Sequence, residues 1–398
     1  MKYIKFFILT LSILLLTGCW NYRELEDLLI VSALGIDSNE DGFDISVEVI
    51  NDKMVSGGEQ SGGSSSEETP IVVYSSKAKT IREAIDKIIL ESPKRLYLGH
   101  MNLLVISEDI AKKGINEFLD YFMRDTEIRK TFFTTVVKNA KASDVLKILQ
   151  PIENITAVSI QSSLEIANVY YGEFSNQTLE EIVRCLFTTG RNPTIAAIEV
   201  TGDVKKGSKN DNVSTTSPKT SIKVKGTTVF KGDKLVGYLN EKEAIYYAVV
   251  RDKIDTISLS FPCDKKDNYA NIIIDGVKGK LKATVDKDEP KIAIDIAGNA
   301  AITEFNCKID LKKPSNIKKI EEIANKEIVK QMKKTVKKVK ELNSDIFGFE
   351  EQFYRNHYKY WKKKKDKWDE LFKDIEVKVK SDIKIERISS SVETAKSR

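Results

Sequence analysis

The chain has 398 residues, of which 41% are apolar and 31% charged, with a net charge of +5 at pH 7. That balance describes a folded body with a water-facing surface and excludes a low-complexity or multiply membrane-spanning chain. Two histidines in the whole chain leave little for histidine-dependent catalysis.

Lys2 and Lys5 precede an uncharged run from Phe6 to Leu16, and Thr17-Gly18-Cys19 follows. A positive start, a short apolar run and small residues before a break are the layout of a secretory signal peptide over residues 1–18. The run is about 11 residues, well short of the roughly 20 that a spanning helix needs. Leu16-Thr17-Gly18-Cys19 fits a lipobox, so Cys19 is the expected lipidation site, its thiol diacylated and the peptide cut before it. Two acyl chains anchor stably where one binds only marginally. The remaining 380 residues suggest two or three domains and hold no further apolar run approaching 20.

Leu28 to Ile36 is β-branched and apolar, Asp37 to Gly42 is a turn cluster, and Phe43, Ile45, Val47 and Val49 alternate. This predicts a hairpin whose second strand is half buried. Residues 52–70 are Ser/Gly-rich with almost nothing to bury, which predicts a flexible loop. A strand at Ile71–Ser75 leads to Thr80-Ile-Arg-Glu83, a capping box ahead of a helix with Ile81, Ile85, Ile88 and Ile89 in register. Met101–Ile106 is a predicted strand, and Ser107 caps a helix through Phe122. Thr131–Val137 alternates, and Asp144–Gln150 and Ile155–Val169 carry helical patterns. Thr178 to Glu181 is a second capping box, ahead of Ile182–Phe187. Interleaved strands and helices make residues 19–201 an α/β domain.

Residues 202–220 carry Lys-Lys-Gly-Ser-Lys-Asn-Asp-Asn and Ser-Thr-Thr-Ser-Pro, which predicts a linker between domains. Beyond it, residues 221–388 predict an α+β domain, divisible into two subdomains. Ser221–Phe230 and Leu235–Leu239 form a hairpin, and Asn240 caps a helix through Val250. Short strands follow at Thr256–Ser260, Ala270–Asp275, Gly279–Val285, Lys291–Ala297 and Ala301–Ile309, with turn-rich connections that favour an antiparallel sheet. Ser315 caps a long helix over about 315–343, with a stripe from Ile317 through Ile320, Ala324, Ile328, Met332 and Val336 to Val339. A second, aromatic helix spans about 350–372, Ile375–Ile385 is a last strand, and 389–398 is a disordered tail.

No catalytic constellation emerges. His100 and His357 lie in different predicted domains, and no glycine-rich phosphate loop, metal-ligand spacing or cofactor motif occurs. Cys185, Cys263 and Cys307 lack metal spacing and read as small buried side chains, with a Cys263–Cys307 disulfide as the alternative in an extracytoplasmic compartment. His100 sits at the start of a strand, where a hydrogen-bonded side chain is the common case.

Positive charge is concentrated near the C-terminus. Residues 312–367 hold 18 Lys and Arg against 8 Asp and Glu, a net of +10, so the rest of the chain carries −5. Lys362, Lys363, Lys364 and Lys365 lie between Trp361 and Trp368. The aromatics are expected to pack inward while these lysines form a solvated face, with contact to anionic lipid or to a protein partner as the functional alternatives. Nucleic acid is not an expected partner of a lipid-anchored extracytoplasmic chain.

Several blocks resemble one family. Gly18-Cys19-Trp20-Asn21, Glu24-Leu25 and Val31-Ser-Ala-Leu-Gly35-Ile-Asp37 resemble the mature N-terminus of the C subunits of spore germinant receptors, the Ger(x)C lipoproteins. Ser92-Pro-Lys-Arg95, His100 and Glu108 to Gly114 resemble a second block. Gly226 to Phe230 with Asp233 to Gly237 resembles a third. Asp345-Ile-Phe-Gly-Phe349, Trp361 and Trp368 to Phe372 resemble the C-terminal helical region. The resemblance implies an elongated α+β protein with mixed or antiparallel sheets, helices and about three subdomains, anchored through acylated Cys19 on the outer face of the inner spore membrane. It also implies membrane-spanning receptor subunits as partners and no catalytic residues; binding of a small-molecule germinant is left open. The chain departs from the family in its longer 52–70 insertion and in the Ile388-Ser-Ser-Ser end of its last strand. An extracytoplasmic solute-binding lipoprotein is the alternative, and it predicts a deep cleft. A lipid-anchored hydrolase would need a polar cluster around His100 or His357.

Overall fold

The computed structural model describes residues 3–4, 24–51, 69–171, 178–263 and 268–388. Cys19, residues 1–2 and 5–18 of the expected signal peptide, most of the 52–70 loop and the 389–398 tail lie outside the described residues. The loop's two ends are tied together, because the Asn51 amide donates to Pro70 O at 2.9 Å.

Among the described residues, nine strands form the first sheet: β1 (Leu28–Asn39), β2 (Gly42–Ile50), β3 (Ile71–Ala78), β4 (Arg95–Tyr97), β5 (Leu103–Ser107), β6 (Phe133–Lys138), β7 (Thr194–Thr201), β8 (Ser221–Lys231) and β9 (Lys234–Leu239). Their order is β3-β2-β1-β5-β6-β7-β8-β9, with β4 paired to β1. The pairs β1–β5, β5–β6 and β6–β7 are parallel, and the flanking pairs are antiparallel. Parallel neighbours require crossover segments, which the helices supply. One face is covered by α1 (Ile81–Glu91), α2 (Glu108–Lys113), α3 (Asn116–Arg124) and, beyond the two that follow, α6 (Leu179–Phe187). The other face is covered by α4 (Ala142–Leu146) and α5 (Thr156–Tyr171).

Because successive strand residues face opposite ways, β1 sends Leu34 and Ile36 into the first core and Ala33 into the second. For the same reason β2 is buried on both faces rather than half buried. Ser46 and Glu48, on the face that alternation marks as polar, are fully buried, and Glu48 meets the start of α5. The helix expected from Ser107 to Phe122 is two helices, since Gly114 at φ +136° ends α2. Helix signals elsewhere hold in part. Thr80 and Thr178 accept from the Glu83 and Glu181 amides, but Glu83 turns to the Lys79 amide and Glu181 to Lys253. The reciprocal box forms completely at Asn240 and Glu243.

The expected linker at 202–220 is a folded connection. It contains α7 (Val204–Gly207), and Asn212 is buried, donating to Leu149 O and Thr220 O at 3.1 and 3.0 Å. The strands on either side, β7 and β8, pair with each other, so the first sheet continues to β9. Its turn residues close a long hairpin loop between β7 and β8.

α8 (Glu241–Val250) leads into a second sheet of β10 (Ile257–Pro262), β11 (Tyr269–Asp286), β12 (Glu289–Phe305) and β13 (Glu376–Ile388), in that order. The five short strands expected after Val250 are three, two of them long. Gly276, at φ +59°, sits in a register shift between Asp275 and Lys278, so a β-bulge kinks β11 where a turn was expected. β10, β11 and β12 pair antiparallel as expected, and the addition of β13 makes the sheet mixed. β12 and β13 are parallel because the chain between them crosses over through α9 (Pro314–Glu341), α10 (Phe349–Asn356), α11 (Tyr358–Lys364) and α12 (Trp368–Asp374).

Pro314 occupies the first turn of α9, so Lys313 rather than Ser315 is its cap residue; proline suits that position because its missing N–H would be unpaired there. The expected stripe is buried at Ile320, Ala324, Ile328, Met332, Val336 and Val339. The single aromatic helix expected over 350–372 is broken at His357 and again at a 3₁₀ turn, Lys365–Lys367. A straight helix of that length would run about 35 Å. Breaking it lets Phe353, Trp361, Trp368 and Phe372 all reach one core. Cys263 and Cys307 are paired rather than free, with Cα atoms 6.1 Å apart, and tie the segments that follow β10 and β12. Cys185 is free and buried.

Candidate functional site at the junction of the two sheets

The segment after α9 forms the joint between the two sheets. Asn343, at φ +48°, ends the helix, and Gly348, at φ +81°, supplies the left-handed turn into α10. Between them Asp345 is buried. Its Oδ1 accepts from the Gly348 and Phe349 amides at 2.8 and 2.9 Å, and its Oδ2 accepts from the Glu350 amide at 2.7 Å. Burial outweighs these three bonds and pushes the carboxyl up to about 7. The same turn reaches across to the first sheet. The Asn192 amide donates to Asp345 O at 2.9 Å, the Glu351 amide donates to Gly190 O at 3.2 Å, and the Ser344 hydroxyl donates to Phe230 O. Gly190 has φ +99°, and a Cβ there would lie 2.4 Å from the Glu351 nitrogen. Only glycine allows that approach.

A cleft opens beside this joint. It has a volume of about 610 Å³ and is lined by Arg184 and Phe187 of α6, Arg191 after it, Arg251 at the end of α8, and Glu351 and Arg355 of α10, among others. Arg251 donates to Phe347 O at 3.1 Å and lies 3.8 Å from Glu351. Burial, and then the charge of Arg191, hold its guanidinium below the ordinary arginine range. Arg191 donates to Cys185 Sγ at 2.9 Å. Behind it Tyr247 is buried and shares a hydrogen bond with Thr194 Oγ1. A smaller adjoining cavity of about 280 Å³ lies between Cys185, Gly190, Asp345 and Trp368.

The residues singled out in the sequence are scattered. Lys362, Lys363 and Lys365 are exposed, while Lys364 is half buried and pairs with Asp288 at 3.0 Å. Lys365 lies over the Trp361 ring and Lys364 over Tyr360. The Trp361 indole donates to Glu350 at 2.9 Å, and Trp361, Trp368 and Phe372 are buried. His100 is exposed and stands edge-on to Tyr97, and among the described residues it lacks the hydrogen bond expected of it. His357 Nε2 meets Ala283 O at 3.1 Å. The described residues hold no group of three or more His, Cys, Asp or Glu side chains placed to bind a metal. They also hold no helix long and apolar enough to cross a membrane.

The arginine cleft was not foreseen. Its four arginines, at positions 184, 191, 251 and 355, span 171 positions, and no motif links them; only the fold brings them together. The Asp345-Ile-Phe-Gly-Phe349 block, in contrast, stood out in the sequence and forms the joint itself.

Comparison with known proteins gives a consistent result. A family profile described as "Spore germination protein N-terminal domain" matches residues 21–200, and one described as "Spore germination B3/ GerAC like, C-terminal" matches residues 225–389. The two profiles meet across the same connection that was read as a boundary in the sequence. Spore germination protein KC of Bacillus subtilis (strain 168) is 32% identical over 384 residues, covering 96% of this chain and 94% of its own. Spore germination protein GerQC of Bacillus cereus is 23% identical, covering 96% and 98%. The crystal structure of the GerBC protein matches with a TM-score of 0.53 at 19% identity, covering 89% of this chain and 96% of that one, which is a likeness of fold.

Proposed function

Because the chain belongs to the spore germination B3/GerAC-like family, we propose that it is the lipid-anchored C subunit of a spore germinant receptor. In this reading it is not an enzyme. Acylated Cys19 holds it on the outer face of the inner spore membrane, where it assembles with membrane-spanning subunits and is needed for nutrient-triggered germination. The match to a spore germination protein along nearly the whole of both chains carries the reading. Weak contacts with neighbours gain effective concentration once both partners share a membrane. Lys362, Lys363 and Lys365 are exposed next to an aromatic platform, and with Lys364 they offer a basic face to anionic headgroups or to a partner.

The test is genetic and biochemical together. Spores lacking the gene should form normally yet lose or slow their response to particular germinants. A Cys19→Ala protein should fold, fail to label with palmitate, and co-purify with polytopic subunits at reduced levels. Normal germination with every germinant tried, or full assembly without the cysteine, would refute the proposal.

A further inference from the structure

Among the described residues, the cleft at the joint carries more positive charge than its lining balances. Four guanidinium groups, those of Arg184, Arg191, Arg251 and Arg355, share its lining with one carboxylate, Glu351. Glu351 is already divided between Arg355 at 2.6 Å and Arg251 at 3.8 Å. The carboxylate nearest Arg184, Glu181, is 3.8 Å away and holds Lys253 at 2.7 Å. Among the described residues Arg191 hydrogen-bonds to a thiol, and the Arg251 Nε is buried without a partner. A buried guanidinium donor without an acceptor is unfavourable, and a carboxylate or phosphate is the group whose geometry suits the arginine fork.

The opening also has the dimensions and rim of a small-molecule site. Its volume of about 610 Å³ lies within the usual range for such sites. Phe187, 76% exposed, and Tyr354, 41% exposed, stand in its lining, where they are free to cover a planar or apolar body. We propose that this cleft binds a small organic anion, carboxylate- or phosphate-bearing, with its charged group on the arginines and its body against Phe187. The occupant bridges α6 of the first sheet unit to α10 beside the second sheet, so binding strengthens the joint. The proposal goes beyond membrane assembly and does not depend on it.

The experiment uses the purified protein with inorganic phosphate and phenyl phosphate as probes, at constant ionic strength, read by calorimetry and thermal shift. Both probes are expected to bind saturably and raise Tm, with phenyl phosphate tighter. Arg184 and Arg355 are 60% and 66% exposed, so Arg184→Gln with Arg355→Gln should keep the fold while weakening both probes by roughly tenfold or more. The remote pair Lys282→Gln with Lys318→Gln removes the same charge and should leave binding unchanged. Phe187→Ser should abolish the preference for phenyl phosphate alone. Absence of saturable binding, or equal loss in the cleft and remote pairs, would overturn the site; equal affinity for the two probes would overturn the assignment of an organic body.

Discussion

Glu48 should make this protein less stable as pH rises, and a single amide substitution should remove the effect. The side chain is fully buried between β2 and the start of α5. Its Oε1 accepts from the Ser32 hydroxyl at 2.6 Å and from the Ala157 amide at 3.1 Å, but among the described residues Oε2 has no partner. Burial dominates these bonds and pushes the carboxyl from 4.5 up to about 7. The folded state therefore holds a proton that the unfolded chain has already released between these two values. Stability contributed by that proton is complete below pH 4.5 and is lost as pH rises toward and through 7. A shift of this size corresponds to about 3 kcal/mol, of which roughly 2–3 kcal/mol falls between pH 5 and pH 8. Glu48→Gln keeps the acceptor for Ser32 and Ala157 and cannot ionise. Urea unfolding of both proteins should give similar stabilities at pH 5 and a more stable variant at pH 8, by about 2–3 kcal/mol. The difference isolates Glu48, since Asp345 and Asp37 are also raised by burial and titrate in both proteins. A gap that stays constant from pH 5 to pH 8 would refute the reasoning.

At the joint, Gly190→Ala should cost about 2–4 kcal/mol, combining left-handed strain with the clash against Glu351. Gly232→Ala, at φ +58° with nothing within 4 Å, serves as the control and should cost about 1 kcal/mol; equal losses would mean that the close approach does not hold the joint. Reducing Cys263–Cys307, with its sequence separation of 44, should lower stability by about 4 kcal/mol in the chain-entropy account, read as a fall in Tm with dithiothreitol that a Cys263→Ala, Cys307→Ala protein does not show. Changing Lys362, Lys363, Lys364 and Lys365 together to Gln should leave circular dichroism and Tm nearly unchanged, because the Lys364–Asp288 pair is largely solvated. The same variant should sediment less with vesicles containing anionic lipid; unchanged sedimentation would remove the basic face as a membrane contact.

What could be read in advance depended on how local the governing interactions are. Asn240 and Glu243 make their reciprocal bonds within four residues, so the cap was legible and formed as read. The stripe on α9 was legible for the same reason, since its period belongs to the helix alone. Glu48 was not. Its strand alternates as if one face were wet, and only the crossover to α4 and α5 buries that face. Residues 202–220 carry the composition of a linker, yet Asn212 anchors them by bonds to Leu149 and Thr220 that no local pattern announces. The aromatic helix was misread because its apolar spacing suits a helix while its side chains must converge on one core. The Asp345 block was visible as a resemblance, but its role as a tie between sheets required the partners Gly190, Asn192 and Phe230, all more than 100 positions away.

The position of β13 in the chain has a consequence for how the molecule is made. α9 packs chiefly on this strand, which is also the last one described. During synthesis the helix emerges roughly 50 residues before the surface that shelters it, and domains fold as units only when their parts are present. In that interval the row from Ile320 to Val339 lacks the strand that α9 packs on most. The second sheet is therefore completed late, when residues 376–388 pair beside β12. A nascent chain stalled or clipped before that point would keep the first sheet's pairings and leave the α9 row short of β13, a species for chaperones and proteases to meet rather than a smaller working protein.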